Sequence, residues 1–192
     1  MTLPPAVGRG LHATVFALAL AAAGTHAPPA AANQSDAVIR FVEGTVFAER
    51  DARVDMVMEA VDVEDLAGYQ ATLRWDPRIL EFIDIEVLED FMTASGRTID
   101  YTPPIVADDS VTLAAFTFPP TGVPVPGASG SGELLRIGFR TLRPGRSEVD
   151  LSEVLLTTTR NDPIAADAQS GQVVVVGEPA PEGLVYMPYG AR

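Results

Sequence analysis

The sequence predicts an all-β chain folded as an antiparallel β-sandwich of eight or nine short strands. From Asp36 onward, apolar and polar residues alternate with a period of two. Turn residues interrupt that alternation at roughly the 8–12-residue spacing of a sandwich. Only one stretch, residues 80–91, offers a competing helical pattern.

In chain order, residues 38–41 are a short apolar run, and Val46 and Phe47 follow Gly44. Val54, Met56, Met58 and Ala60 alternate with Asp55, Val57, Glu59 and Val61. Asp65, Leu66, Ala67 and Gly68 read as a turn that ends this strand. Tyr69, Ala71, Leu73 and Trp75 then alternate with Gln70, Thr72 and Arg74. Pro77 stops the run, because proline cannot donate to a sheet ladder. The strict alternation of Ile83, Ile85 and Val87 favours a strand over the acidic amphipathic helix, with one helical turn near residues 88–93. Residues 94–109 read as loops with a short strand near Ile99 and Tyr101.

The second half repeats the style. Residues 111–118 are β-rich, and residues 119–132, rich in Pro, Gly and Ser, read as a loop. Leu135, Ile137 and Phe139 alternate with Arg136 and Arg140, and Pro144 and Gly145 form a turn. Val149 and Leu151 alternate with Glu148 and Asp150; residues 154–159 and 172–176 complete the set.

Three segments are expected. Residues 1–32 resemble an export signal: Arg9, a short apolar run from Leu11 to Ala23, and Ala30 and Ala32 as a cleavage site, with Ala27 as an alternative. That run is too short to span a bilayer. Residues 33–177 form the sandwich. Residues 178–192 are a Pro/Gly linker, GEPAPEG in context, and an apolar-aromatic tail, LVYMPYGAR, that either packs on the sandwich or serves as a terminal tag. The expected location is therefore outside the cell, in solution or at its surface.

Losing the signal changes the available chemistry. His12 and His26 are the only histidines, the chain has no Cys, and all 13 basic residues are Arg. The mature segment therefore lacks the usual general base, thiol nucleophile and Schiff-base amine, and zinc sites of the Cys/His kind are excluded. Only carboxylate chemistry is left, such as a glycosidase pair drawn from Asp62 and Asp65 or Glu89 and Asp90. A non-catalytic binding protein is the better expectation. The net charge of −13, or −14 once Arg9 is removed, disfavours nucleic acid and anionic membranes. No cofactor is predicted. Residues 159–167 and the pair Asp108 and Asp109 are the candidates for calcium, though neither has the spaced ladder of an EF-hand loop.

The stretch VEDLAGYQATLRWDPRILE, with VTLAAFTFPPTG and GSGELLRIGFRTLRPGRSEVDL, resembles cohesin domains, the receptor modules of cellulosome scaffolds. The shared pattern is a Gly-aromatic turn, a strand ending in aromatic-Asp-Pro, and later a Gly before a Leu-x-x-Ile-x-Phe strand. It covers roughly residues 36–176. The resemblance implies a nine-stranded jelly-roll sandwich without an active site. It also implies a protein partner of the dockerin type, dockerins being small calcium-loaded helical modules of polysaccharide-degrading enzymes. Where cohesins carry Asn and Asp on the partner face, this chain has Gly68 and Gln70, a departure that bears on which partner it takes.

Phase assigns the candidate residues. Tyr69, Leu73 and Trp75, with Ile137 and Phe139, are expected in the core. Gln70, Thr72 and Arg74 lie on the opposite phase and are the expected partner-binding residues, with Arg74 as anchor. Phe116, Phe118 and Pro119 border the Pro-rich loop; one of the two phenylalanines is expected to face outward or toward the second sheet, with a loop-edge ligand contact as the functional reading. The alternative of the same fold, a carbohydrate-binding or adhesive module, requires a planar strip of exposed aromatics.

Overall fold

Strict alternation in residues 53–60 sends Val54, Met56, Met58 and Ala60 into the interior and Arg53, Asp55, Val57 and Glu59 outward. The structure, a computed structural model, describes residues 37–177. The expected signal segment and the 178–192 tail lie outside them. The strands are β1 (Val38–Phe41), β2 (Thr45–Ala48), β3 (Arg53–Arg74), β4 (Leu80–Val87), β5 (Thr98–Tyr101), β6 (Ile105–Val106), β7 (Ser110–Phe118), β8 (Ala128–Thr141), β9 (Gly145–Thr158), β10 (Pro163–Ile164), β11 (Asp167–Gln169) and β12 (Gly171–Val175). A one-turn helix, α1 (Asp90–Thr93), follows β4.

These form two layers that share β3. The first half of β3 pairs with β1 and β8, and β8 with β4. The second half pairs with β7 and β9. β5 and β6 extend that layer beyond β7, and β12 and then β2 extend it beyond β9. Between the layers lies one apolar core, with Met56, Met58, Leu66, Leu73, Leu113, Leu134, Ile137 and Phe139 fully buried.

Residues 65–68 are not a turn between two strands. β3 runs unbroken for 22 residues and crosses from one layer to the other. The crossing is made by Asp62 (φ 53°) and Asp65 (φ 55°), both left-handed, and the pairing with β8 shifts register at these points. Asp tolerates this conformation better than most residues. Such residues throw their N–H groups off the ladder, and those donors need partners. Two serines supply them: Asp62 N–H donates to Ser131 Oγ (3.1 Å) and Asp65 N–H to Ser129 Oγ (3.0 Å). The Ser/Gly stretch expected to be loop is therefore the start of β8, shaped to fit the corner.

A second expected break also closes. β9 is one strand of 14 residues with a kink at Glu153 (φ 49°), where residues 149–151 and 154–159 read as two strands. Conversely, the N-terminal strand is divided between layers as β1 and β2. Among the described residues the chain forms twelve strand segments, several of them two or three residues long, where eight or nine strands are expected.

Gly127 shows how tight the corner is. A Cβ there would lie 2.4 Å from the Leu66 carbonyl oxygen and 2.6 Å from the Asp65 carbonyl carbon. Both are backbone atoms and cannot rotate away. Gly127→Ala is expected to destabilise the fold by roughly 2 kcal/mol or more, read as a lower denaturation midpoint. An unchanged midpoint would mean that the corner yields easily.

Candidate functional site

The outward faces of the two layers differ in chemistry. On the β1–β3–β8–β4 face the charges are paired. Arg40 bonds Glu59 (2.7 Å), Arg53 bridges Asp55 (2.7 Å) and Asp84 (2.9 Å), Arg136 bonds Glu86 (2.7 Å), and Arg140 bonds Glu81. The two carboxylates beside Arg53 raise its already high pKa, Asp55 contributing most. On the face formed by β7, the second half of β3 and β9, no ion pair occurs among the described residues.

That second face is apolar at its centre. Phe116 (37 % exposed) and Phe118 (50 %) both point outward from β7, with ring centroids 5.2 Å apart and planes at 87°. Of the two expected directions, outward or toward the second sheet, register gives the outward one to both. Val111, Leu113 and Ala115 take the inward phase, so 116 and 118 share the outward one. Across β3, Leu155 (60 % exposed) stands opposite Gln70. Gly68 sits between Phe116 and Thr157, and a Cβ there would lie 2.9 Å from Thr157 Oγ1, so the three strands approach closely at this point. Leu155 had no clear sequence signal. It lies in a run, VLL, whose phase is decided by the kink at Glu153, which turns Leu156 inward and Leu155 out.

The three expected partner-binding residues occupy this face unequally. Gln70 is half-buried beside Ala114 and Leu155. Arg74 is exposed and makes no hydrogen bond or ion pair with the described residues, which leaves its guanidinium open to an outside acceptor. Thr72 departs from the expectation of an open face, being only 3 % exposed. Its hydroxyl lies 2.8 Å from that of Thr112 and donates to Glu153 Oε2 (3.2 Å), so it ties the strands together beneath the surface.

The residues assigned to the core are all buried: Tyr69, Leu73, Trp75, Ile137 and Phe139. Trp75 stacks on Phe82 (5.9 Å) and meets Phe139 edge-on (5.1 Å). It therefore offers no platform to a sugar. Tyr69 donates its hydroxyl to the Leu134 carbonyl (2.9 Å), and burial raises its pKa well above the ordinary range.

The rim of the face is held by two charged residues, Arg97 and Asp65, that do not pair with each other and whose holding role sequence reading missed. Arg97 is buried without a carboxylate partner. It donates to Thr117 Oγ1 (2.8 Å), Thr117 O (2.7 Å) and Val125 O (2.7 Å). Two residues on, the Gly127 N–H donates to Asp65 Oδ1 (2.7 Å), while Thr159 donates its hydroxyl (2.8 Å) and N–H (3.3 Å) to Oδ2. Pro126, between them, has no N–H to satisfy. The loop after Phe118 is thus clamped on both sides of Pro126.

Asp65 is spent on these bonds and not free for acid–base work. Among the described residues, no group of three acidic side chains converges on a point that could hold a metal ion. A groove of about 790 Å³ beside α1 is lined by Glu86, Glu89, Asp90, Glu133 and Arg136, but they do not form such a group. No helix of the described residues is long and apolar enough to cross a membrane.

No protein-family model matches the chain, and no curated protein matches it. Solved structures do. A type I cohesin–dockerin complex from Clostridium thermocellum matches at 15% identity with a TM-score of 0.59, covering 77% of this chain and 99% of that one. A non-cellulosomal cohesin from the archaeon Archaeoglobus fulgidus matches at 14% and 0.55, covering 73% and 91%. A cohesin module from a Clostridium perfringens family 33 glycoside hydrolase matches at 8% and 0.57, covering 75% and 99%. Two packed layers, a β3 shared between them and these likenesses together show that the described residues have the cohesin fold, an all-β sandwich.

Proposed function

We propose that this chain is an exported, non-catalytic receptor module that binds a partner protein through the outward face of β7, β3 and β9. One observation carries the reading: this face exposes Phe116, Phe118 and Leu155 around Gly68 and Gln70, while the opposite face is covered by paired charges. Exposed apolar clusters rimmed by polar groups mark interaction surfaces. Arg74 supplies an unpaired cation at the edge for a carboxylate of the partner. That similar folds occur in complexes with dockerins supports a small protein module as the partner. Residues 33–177 are read as the module, residues 1–32 as its export signal, and polysaccharide breakdown or surface assembly as its setting. The two phenylalanines stand nearly perpendicular, not as a flat strip, which favours a protein over a sugar surface.

The test uses purified dockerin modules in a binding panel, with and without a calcium chelator. Phe116→Asp combined with Leu155→Asp is expected to weaken binding about 100-fold, the scale of hot-spot loss. Its denaturation midpoint is measured alongside, because Phe116 is only 37 % exposed and stands opposite Asp100, where a second carboxylate is repelled. Arg74→Ala should weaken binding less. If no dockerin binds in either condition, the dockerin-type partner is wrong; if the double variant binds as well as the parent, the face is wrong.

A further inference from the structure

β7 runs beyond the ladder that holds it. Its pairing with β3 ends at Gly68, opposite Phe116. Past that point Thr117 and Phe118 pair, among the described residues, only with Ile99 and Thr98 of β5, a strand of four residues. Strand ends of this kind open readily. Yet Phe118 stands half exposed in the apolar cluster, with its ring 5.2 Å from that of Phe116.

The residue between the two rings supplies the missing hold. Thr117 takes the inward phase of Val111, Leu113 and Ala115, and it is the one polar side chain in that set. Its hydroxyl donates to the Ala67 carbonyl (3.1 Å), which carries the tie to β3 one residue past the ladder. Arg97 grips Thr117 from the other side. Nε donates to Oγ1 (2.8 Å) and Nη2 to the carbonyl oxygen (2.7 Å), so one edge of the guanidinium fixes a single residue twice. Nη1 reaches the Val125 carbonyl (2.7 Å) and sets the 119–127 loop against the end of β7. With Thr117 pinned inward, alternation turns Phe118 outward beside Phe116, which the β3 ladder already holds.

Stability is a poor reason for this arginine. Its side chain is buried without a carboxylate beside it, and burying an uncompensated charge costs the fold even when the N–H groups are bonded. A methionine would fill similar space without that cost. Methionine cannot meet three acceptors on two segments at once; a planar fork of fixed donors can.

We propose that Arg97 is a positioning residue of the partner face, holding Phe118 outward through Thr117 and fixing the adjoining loop in the arrangement that meets the partner. The proposal rests on the face assigned above. A ring already held in place loses less freedom on association.

Ring-to-ring nuclear Overhauser contacts test it in the free protein. The parent should show a Phe116–Phe118 contact. In Arg97→Met it should fall about tenfold, as the outward arrangement drops to about one-tenth of the molecules. Thr117→Val, which deletes the shared hydroxyl and keeps the shape, should lower it in the same direction. The Trp75–Phe139 contact should stay at the parent level in both. A residue that only stabilised the fold would lower the denaturation midpoint and leave the Phe116–Phe118 contact intact, and that result in both variants overturns the proposal. Binding supplies a second arm. For a dockerin of the panel that binds the parent, Arg97→Met should raise Kd about tenfold. With Phe118→Ala already present, the same change should cost less than about twofold, because its effect passes through that ring. Equal losses in the two backgrounds overturn the proposal. If no dockerin binds, the partner reading fails, and the ring contact alone decides for or against Arg97.

Discussion

Trp75→Ala is expected to cost the fold about 4 kcal/mol. The indole fills the space between Phe82, on which it stacks, and Phe139, which it meets edge-on, and it is 6 % exposed. Phe82 and Phe139 face each other across the β4–β8 pairing, so they cannot collapse into the vacated space without breaking the ladder. Trp75 Nε1–H has no hydrogen-bond partner among the described residues. Trp75→Phe removes that buried, unpaired donor and keeps an aromatic ring, so its cost should stay below about 2 kcal/mol. Chemical denaturation with matched slopes checks both. A loss below 1 kcal/mol for the alanine variant would contradict a core role for this ring.

The second large effect is expected at Asp65. Its carboxylate accepts three bonds from two loops, so Asp65→Ala abandons Gly127 and Thr159 and places alanine in a left-handed conformation. Hydrogen bonds to a charged group are worth about 1.5–3 kcal/mol each when removed singly, and they overlap here. A loss of roughly 3 kcal/mol is expected. The pH dependence carries the sign. Burial alone would raise the Asp65 pKa; the Gly127 N–H and the Thr159 hydroxyl and N–H outweigh it, Arg160 adds to them, and the net value falls below the ordinary 3.8. A depressed folded pKa contributes stability that is fully present above 3.8 and lost as pH falls through the folded value. Asp76, held at about 2 chiefly by the Arg78 side chain, contributes in the same acid window. Asp65→Asn should therefore show a shallower loss of stability than the parent between pH 4 and pH 2. Parallel pH profiles for the two chains would show that the carboxylate charge does nothing at the corner.

What could be read beforehand was whatever alternation alone governs. Tyr69, Leu73 and Trp75 keep one phase through a regular ladder, so a period-two count puts them on the buried side. The strand over Leu80–Val87 and the single helical turn after it followed the same logic, since Ile83-Asp84-Ile85-Glu86-Val87 repeats every two residues and not every 3.6. Phase becomes unreadable where the backbone adds a residue. Leu155 and Leu156 are chemically alike, and only the left-handed Glu153 decides which one faces water.

The sequence by itself determined the all-β architecture, the inward residues of its regular strands and the absence of His, Cys and Lys from residues 33–192. These are local properties: side-chain direction in an extended chain follows from counting. Tertiary structure alone decided that residues 65–68 carry β3 across both layers, that Ser129 and Ser131 complete the corner, that Thr72 is covered while Arg74 is not, and that Phe116, Phe118 and Leu155 form one surface. Each depends on partners 40 to 90 residues away that satisfy or crowd a group, and such partners leave no period in the sequence.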